Sequence, residues 1–327
     1  MRLFFTELYG VMDKEIFFSS LDVAVLIPCY NEEATITKVI NDFRLAIPSA
    51  LIYVYDNSST DKTAEIATKA GAIVRTEPSK GKGNVIRRMF ADIESDIYIM
   101  VDGDDTYEAS KSQKMVTQLV QKDLDMIVGI RKAIEVKKSY RRGHVFGNWL
   151  LTQTVAFLFG KGFNDMLSGY RVMSRRFVKS FPIISKGFEI ETEMTIHTLQ
   201  IGIPYGEVET AYNERPMNSE SKLSTFHDGF RIIKMIFFLF KEEKPFQFFG
   251  LIAILLLLVS IILLIPIFST YISTGFVPRL PTAILAMGLI TMAFFSLSFG
   301  VILDSLSRLR MESKKIHYLS LSRVKKN

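Results

Sequence analysis

A cluster of carboxylates directly follows an apolar segment in the first third of the chain. Residues 97–101 have the pattern of a buried strand, and Asp102, Gly103 and Asp104 come next. Two carboxylates about 4 Å apart repel by roughly 4 kcal/mol at an effective dielectric of about 20, and a bound cation removes that cost. Hard oxygen ligands suit Mg²⁺ or Mn²⁺, so Asp102 and Asp104 are candidate metal ligands if Gly103 lets the backbone turn both toward one point. The alternative is a solvated turn, where Asp-Gly is common.

The segments that must position this pair alternate between strand and helix patterns. Strands are predicted at residues 23–27, 51–55, 73–75, 97–101, 126–129 and 203–212, and helices at residues 35–43, 63–70, 84–91, 147–158 and 188–199. This alternation predicts an α/β fold with a mostly parallel, Rossmann-like, nucleotide-binding sheet. Ligands of such sheets bind beyond the carboxyl ends of the strands, where Asp102 and Asp104 are expected.

Two other polar loops are predicted at the same edge of the sheet. Asp56 follows the second strand and could accept hydrogen bonds from a nucleobase or a ribose hydroxyl. Alternatively it caps the next helix, a task for which Asp61 is better placed. Lys80 and Lys82, separated by glycine ahead of a helix, could bind phosphate. The Gly-x-x-x-x-Gly-Lys-Ser/Thr loop is absent, and a mobile turn is the alternative.

Two long uncharged segments near the C-terminus predict a membrane anchor. Residues 245–278 and 280–303 contain no charged residue, and each exceeds the roughly 20 residues that span hydrocarbon. We predict transmembrane helices at residues 246–271 and 282–303, separated by a short hairpin with two prolines. Buried helices of a soluble core are the alternative. The mean hydropathy of +0.21 is high for a soluble enzyme of 327 residues.

Charge and cysteine content indicate the compartment. Basic residues flank both spans on one side, which predicts that both termini and the catalytic domain are cytoplasmic and that the protein is integral to the cell or inner membrane. The net charge of +6 suits binding to nucleic acid and attraction to anionic lipid equally, and since no nucleic-acid motif is found we expect a lipid membrane and no nucleic acid as partner. Cys29 is the sole cysteine, which excludes an internal disulfide. Assembly into a homo-oligomer stays open.

Composition and patterning divide the chain into five predicted parts. Apolar residues recur at helical spacing from 226 to 240, which favours a helix lying on the membrane surface or packing on the catalytic domain. The predicted parts are an N-terminal extension (1–22), a catalytic domain (23–225), a juxtamembrane amphipathic helix (226–244), a two-helix transmembrane hairpin (245–304) and a basic cytoplasmic tail (305–327).

Five motifs in this order resemble those of family-2 glycosyltransferases with the GT-A fold. They are IPCYNEE (27–33), DNSSTDKT (56–63), DGDD (102–105), DMLSGYR (165–171), and Arg215 with Ser221-Lys222-Leu223. The resemblance covers about residues 23–223. It is strongest to dolichol-phosphate mannosyltransferases and bacterial polyprenyl-phosphate glycosyltransferases, which also carry C-terminal membrane helices.

The resemblance implies a role for each matching position. Asp102 and Asp104 would hold the metal and the diphosphate, and Thr106 stands where some relatives have a further, glutamine ligand. Asp104, Asp165 and Arg215 would be catalytic, with Asp165 acting as a base or orienting the sugar or the acceptor. The implied nucleotide-sugar contacts are Pro28, Tyr30, Glu32, Asp56, Lys82, Asp102 and Lys222, and the implied acceptor-phosphate contacts are Arg131 and Arg142. Glu191 and Glu193 are weaker candidates for sugar contacts, and an exposed helix face is the favoured interpretation.

The implied reaction is attack by a polyprenyl phosphate (undecaprenyl or dolichyl) on the anomeric carbon of a UDP- or GDP-sugar. It would be a single inverting displacement that uses Mg²⁺ or Mn²⁺. Three alternatives remain: a transferase of the same fold with another lipid acceptor, one with a polysaccharide acceptor, and a non-catalytic membrane-anchored binding or scaffold protein. Processive synthases ordinarily carry a Gln-x-x-Arg-Trp motif and more spans, and neither occurs here.

Overall fold

The computed structural model describes residues 21–133, 153–157, 162–187, 189–213, 234, 237–238 and 240–324. Three predicted site residues, Arg142, Arg215 and Lys222, lie outside these ranges, as does most of the predicted juxtamembrane helix. Of the predicted helix 147–158, residues 153–157 are described and are helical. The chain forms two compact units, with divisions at residues 224/225 and 313/314.

The first unit contains a seven-stranded sheet in the order β3-β2-β1-β4-β6-β5-β7. Its strands are β1 (Val23–Cys29), β2 (Leu51–Asp56), β3 (Ile73–Thr76), β4 (Ile97–Met100), β5 (Met126–Ala133), β6 (Arg171–Ser174) and β7 (Tyr205–Tyr212). Strand β6 runs antiparallel to both of its neighbours, and every other neighbouring pair is parallel. The predicted mostly parallel α/β fold is therefore confirmed.

Six helices with defined bounds belong to the described part of this unit. They are α1 (Ile36–Ala46), α2 (Thr63–Lys69), α3 (Lys82–Asp92), α4 (Lys111–Gln121), α5 (Arg175–Ser180) and α6 (Ile190–Ile201). Ile36, Val39, Ile40 and Phe43 recur at helical spacing in α1, and all four are buried against the sheet. Helices that cover the sheet leave its central strands buried, which explains the continuous apolar runs in β1 and β4.

The register of the parallel strands brings three loops to one edge of the sheet. Cys29 pairs with Asp56, and Leu26 pairs with Met100, so β1, β2 and β4 end near one another. We call this side the carboxyl edge. The loops that follow these strands carry the predicted metal and nucleotide residues.

The opposite side, the amino edge, holds a buried charge cluster. Asp125 precedes β5; its Oδ1 accepts a hydrogen bond from the Ser174 hydroxyl at 2.6 Å, and its Oδ2 accepts one from the Tyr318 hydroxyl at 2.5 Å. Arg176 forms an ion pair with Asp125 at 2.5 Å, and its guanidinium lies over the Tyr318 ring at 4.1 Å. All four side chains are buried. Residues near the C-terminus are thus part of the first unit.

The second unit contains two long apolar helices, α7 (Pro245–Thr274) and α8 (Leu280–Ser320), except that the end of α8 from Lys314 onward belongs to the first unit. Their most apolar stretches have mean hydropathies of 3.3 and 2.1, and only 17% of each stretch is buried. Both helices are therefore long and apolar enough to cross a membrane, and their apolar surface faces outward rather than into a protein core. Where the helices meet, the Ser260 hydroxyl donates to the Ala286 carbonyl at 3.0 Å.

Several predicted elements differ from those observed. Helix α8 was predicted to end at residue 303, but it continues to Ser320, because the charged residues that follow are good helix formers. Helices α4 and α5 and strand β6 were not predicted. Strand β6 has only four residues and begins at the last residue of the 165–171 motif, so no turn signal separates it from that motif.

Candidate functional site

The loops after β1 and β2 are joined by hydrogen bonds between side chains and backbone. The Asn31 N–H donates to the Ser59 hydroxyl at 2.9 Å, and the Thr60 N–H donates to Asn31 Oδ1 at 2.8 Å. Asn31 adopts a left-handed conformation, with φ of 52°, that asparagine tolerates well. The Glu32 N–H donates to the Thr63 hydroxyl at 2.8 Å. These contacts fix Tyr30 and Glu32, two predicted nucleotide contacts, beside the end of β2.

Asp56 lies at the centre of this region and is only 5% exposed. Its Oδ2 accepts the Ser59 N–H at 3.0 Å, while its Oδ1 accepts no hydrogen bond from the described residues. A buried carboxylate oxygen without a donor is costly, and an N–H or O–H of a bound nucleoside would satisfy it. Asp61, not Asp56, accepts the N–H of the first residue of α2, at 3.0 Å, so the capping role falls where the sequence placed it.

Asn57 holds the next loop in place, a role that the sequence did not reveal. Its amide N–H₂ donates to the carbonyls of Glu77 and Ser79, each at 2.9 Å, and its Oδ1 accepts the Gly81 N–H at 2.7 Å. Asn57 thus connects the end of β2 to the start of α3, where Lys82 is the first residue. Lys80 in the same loop lies 5.9 Å from the centroid of the Tyr30 ring.

The two candidate metal ligands follow β4 at the carboxyl edge. Asp104 is 2% exposed, and its Oδ1 accepts a hydrogen bond from the Thr106 hydroxyl at 2.6 Å. Gly103 was expected to relax the backbone. In the structure, close packing is what requires glycine here, because a Cβ at this position would lie 2.8 Å from Cys29 Sγ. The Thr35 hydroxyl donates to the Gly103 carbonyl at 2.6 Å and fixes the turn.

Asp102 belongs to a buried ion triad. Lys82 Nζ lies 2.5 Å from Asp102 Oδ1 and 2.5 Å from Glu191 Oε1. The side chains of Lys82 and Glu191 are 9% and 5% exposed, whereas that of Asp102 is 28% exposed. Burial alone would lower the pKa of Lys82, but the two carboxylates outweigh it and raise that pKa. The expectation that Glu191 lies on an exposed helix face is therefore wrong, because its ion pair with Lys82 makes burial of the carboxylate tolerable.

The glycines around Lys82 have a packing role. A Cβ at Gly81 would lie 2.1 Å from the Lys186 carbonyl oxygen, and one at Gly83 would lie 2.4 Å from the Ser185 carbonyl oxygen. The Gly83 N–H donates to the Lys186 carbonyl at 3.1 Å. The segment is thus the fixed start of α3, not the mobile turn considered from the sequence. It offers a lysine side chain to the site, while the N–H groups of Gly81 and Gly83 are already in use.

The donor set suits a hard divalent cation. Among the described residues no group of three or more His, Cys, Asp or Glu side chains could enclose a metal. Asp102 and Asp104 alone fit an ion that takes one or two carboxylates and completes its shell with water and substrate phosphate. Gly169 leaves room for this arrangement, since a Cβ there would lie 2.5 Å from Asp102 Oδ2. The Thr106 hydroxyl donates its hydrogen to Asp104 and so orients that carboxylate.

Arg131 and Asp165 form a second ion pair near the end of β5. Arg131 Nε and Nη2 donate to the two oxygens of Asp165, each at 2.7 Å, and the Arg131 backbone N–H also donates to this carboxylate. Oδ1 thus accepts one hydrogen bond and Oδ2 accepts two, all from Arg131. An orienting role for Asp165 fits this geometry, and its role as a general base stays a prediction. Arg131 also lies 5.6 Å from the Tyr212 ring centroid.

Behind this pair, Arg171 is fully buried and holds the preceding loop. Its Nη2 donates to the Met166 carbonyl at 2.7 Å and to the Thr195 hydroxyl at 3.0 Å, and its Nε donates to the Ser168 carbonyl at 3.0 Å. Burial lowers the pKa of Arg171 to about 10, with nearby carboxylates opposing that shift. The 165–171 motif thus supplies an internal support as well as Asp165.

The structure brings Tyr30, Glu32, Asp56, Lys82, Asp102 and Asp104 to the carboxyl edge, with Pro28 inside β1 and paired with Tyr55 of β2. Arg131 and Asp165 contact each other near the end of β5. Glu191, Asn57 and Arg171 were not assigned these roles from the sequence. Glu191 lies 109 positions beyond Lys82, so no local spacing reveals their contact.

Comparison with known proteins agrees with this geometry. Residues 24–181 match the model of the family described as "Glycosyl transferase family 2". Glycosyltransferase AglJ of Haloferax volcanii is 37% identical over 229 residues, covering 70% of this chain and 75% of the relative. The dolichyl-phosphate hexose transferase of the same organism is 28% identical over 225 residues, covering 68% of this chain and 96% of the relative.

A solved structure shares the fold. Glucosyl-3-phosphoglycerate synthase of Mycobacterium tuberculosis, crystallised with Mn²⁺, UDP and phosphoglyceric acid, superposes with a TM-score of 0.55 at 22% identity. The match covers 71% of this chain and 81% of that one. The motifs, the sheet order and the relatives all agree: the chain belongs to glycosyl transferase family 2.

Proposed function

We propose that this glycosyltransferase moves one sugar from a nucleotide sugar to a polyprenyl phosphate at the cytoplasmic face of a membrane, with inversion and with the help of a divalent metal. The observation that carries the proposal is the convergence of Asp56, Asp102, Asp104 and Lys82 at the carboxyl edge, in a chain that also has two long outward-facing apolar helices. The first feature suits a soluble phosphorylated donor. The second suits an acceptor dissolved in lipid.

The donor side needs groups for a nucleoside and for a diphosphate. The buried, unsatisfied Oδ1 of Asp56 suits a nucleobase N–H or a ribose hydroxyl. Lys82, fixed beside Asp102, would contribute positive charge near the diphosphate. Arg215 and Lys222, outside the described residues, are proposed as further cations on the departing nucleotide. The solved relative with UDP and Mn²⁺ supports this type of ligand.

Asp102 and Asp104 would hold Mg²⁺ or Mn²⁺, which would neutralise charge on the departing diphosphate. The chain itself supplies the rest of the geometry. Thr106 and the packed Gly103 fix Asp104, while Lys82 fixes Asp102. Because these groups are already in place, little reorganisation would be needed when the leaving group gains charge.

The acceptor side is proposed around Arg131, together with Arg142. Arginine keeps its charge and binds phosphate through two N–H groups, which suits a lipid phosphate. Such a phosphate is already largely ionised near neutral pH, so attack requires no strong general base. Asp165 would hold Arg131 in position through its paired hydrogen bonds. The dolichyl-phosphate hexose transferase relative supports a polyprenyl acceptor.

A panel assay tests the proposal. Purified full-length protein in nanodiscs is incubated with undecaprenyl or dolichyl phosphate, Mn²⁺ or Mg²⁺, and UDP- and GDP-sugars in turn, and the lipid is analysed by mass spectrometry. We expect the mass of one hexose or N-acetylhexosamine on the lipid with one donor class, and no product after chelation of the metal. Failure of every combination, while a control transferase in the same kind of nanodisc is active, would contradict the proposal.

A further inference from the structure

We propose that Glu191 is a positioning residue that sets the charge of the metal and diphosphate site through Lys82. The inference rests on the proposed function, because it assumes that Asp102 and Asp104 hold a metal and that a diphosphate binds beside them. It concerns a residue of α6 to which neither the family motifs nor the comparisons give this role.

The geometry ties the two carboxylates to one ammonium group. Lys82 Nζ is 2.5 Å from an oxygen of Asp102 and 2.5 Å from an oxygen of Glu191, and its side chain is almost fully enclosed. Glu191 is the more deeply buried of the two acids, and its carboxylate forms an ion pair with Lys82. Asp102 keeps a partly exposed face toward the edge of the sheet. Lys82 therefore connects a buried acid to an accessible one.

The charge balance follows from these contacts. With Glu191 ionised, the triad of Lys82, Asp102 and Glu191 carries one negative charge, and Asp104 adds another. The site then matches the two positive charges of Mn²⁺ or Mg²⁺. Without the charge of Glu191 the triad is neutral. The positive charge of Lys82 then offsets that of Asp102 and weakens the attraction of Asp102 for the metal. A more positive site would instead attract a diphosphate directly.

A purely structural role for Glu191 makes a different prediction. Helix α6 is buried on nearly every side, and an ion pair to α3 could serve only to hold the two helices together. In that case removal of the charge lowers the melting temperature. The affinities for metal and for metal-free nucleotide then stay unchanged or change in the same direction. The charge-setting role changes metal affinity and metal-free nucleotide affinity in opposite directions, which loosened packing does not do.

The test measures binding to full-length protein in nanodiscs. Titrations follow Mn²⁺ alone, and UDP and GDP separately with EDTA present. For Glu191→Gln, which keeps the shape of the side chain, we expect Mn²⁺ to bind about tenfold more weakly, as loss of one nearby charge implies. We expect the nucleoside diphosphate that binds to do so several-fold more tightly without metal. Parallel changes, or no change, would overturn the inference.

Two further variants keep the test decisive. Glu189→Gln removes the same charge at an exposed position beside the same helix, and both affinities should stay within about twofold of wild type because solvent screens that charge. If Glu191→Gln does not fold, Lys82→Gln carries the test with opposite signs: tighter Mn²⁺ binding and weaker metal-free nucleotide binding. The inference would be overturned if the two affinities of Lys82→Gln both rose or both fell. Wild-type protein that binds neither Mn²⁺ nor nucleotide would overturn the proposed function as well.

Discussion

Two buried charge clusters lie at opposite edges of the same sheet, and they differ in what their acids have left to bind. At the amino edge, Asp125 accepts hydrogen bonds from Ser174, Arg176 and Tyr318 and is closed to solvent. At the carboxyl edge, Asp102 pairs with Lys82 on one side and remains partly exposed on the other. A buried cluster whose acid has all its partners within the chain holds segments of the same protein together. An acid with one open face at the ends of parallel strands can take a ligand.

The largest effect should come from the carboxyl edge. In Asp104→Asn a proposed metal ligand loses its charge while its shape is kept, so we expect sugar transfer to fall at least about a hundredfold, since metal stabilisation is worth several kcal/mol. The melting temperature should change little. Product formation and thermal unfolding of the same preparation check both statements. Full activity in this variant would remove Asp104 from the site.

The amino edge should respond in stability rather than activity. Asp125→Asn leaves Arg176 buried without its carboxylate partner, and we expect the free energy of unfolding of the first unit to drop by about 3–5 kcal/mol. Activity per folded molecule should stay within about twofold of wild type, because the variant lies at the far edge of the sheet. The measurement is denaturant unfolding, monitored by the circular dichroism of the backbone. A selective loss of turnover with unchanged stability would break the comparison.

Tyr318→Phe sharpens the same comparison with a smaller change. It removes the hydroxyl that donates to Asp125 but keeps the ring under Arg176. We expect a loss of about 1–2 kcal/mol in the free energy of unfolding, the usual cost of one buried hydrogen bond to a charged group. An undiminished free energy of unfolding would mean that this hydroxyl contributes nothing to holding the end of α8.

An effect of similar size concerns the dependence of stability on pH. His197 is buried against Phe177 and Phe181; burial, and secondarily the charge of Lys314, lower its pKa from 6.5 to about 3. Its neutral form therefore stabilises the fold above about pH 6.5, and that stability is lost as pH falls toward 3. We expect about 2 kcal/mol to be lost between pH 7.5 and pH 5. His197→Leu should lose correspondingly less over this interval in parallel denaturant titrations, and identical losses would contradict the assignment.

The sequence was sufficient for features that local patterns encode. The apolar runs before Asp56 and Asp102 predicted strands whose ends converge, and the uncharged segments predicted α7 and α8. The motifs predicted the family. Helix α4 could have been found from Met115, Val116 and Leu119, whose spacing is helical and whose side chains are buried.

Other features depend on contacts between distant parts of the chain. The pairing of Lys82 with Glu191, and of Asp125 with Tyr318, joins residues separated by more than a hundred positions. No periodicity within one element carries that information. The requirement for glycine at positions 81, 83 and 169 also arises from distant contacts, because at each position a neighbour comes close only in the folded state. A mobile turn was the alternative considered from the sequence for Gly81 and Gly83, whereas the fold uses them as points of close approach.

The central claim is that metal and donor bind at the carboxyl edge while the amino edge serves only to hold the fold together. The most direct test measures Mn²⁺-dependent binding of nucleoside diphosphate to two variants, Asp102→Asn and Asp125→Asn, each as folded full-length protein. We predict that the first variant loses this binding and that the second retains wild-type affinity. Retention in Asp102→Asn, or loss in folded Asp125→Asn, would contradict the account.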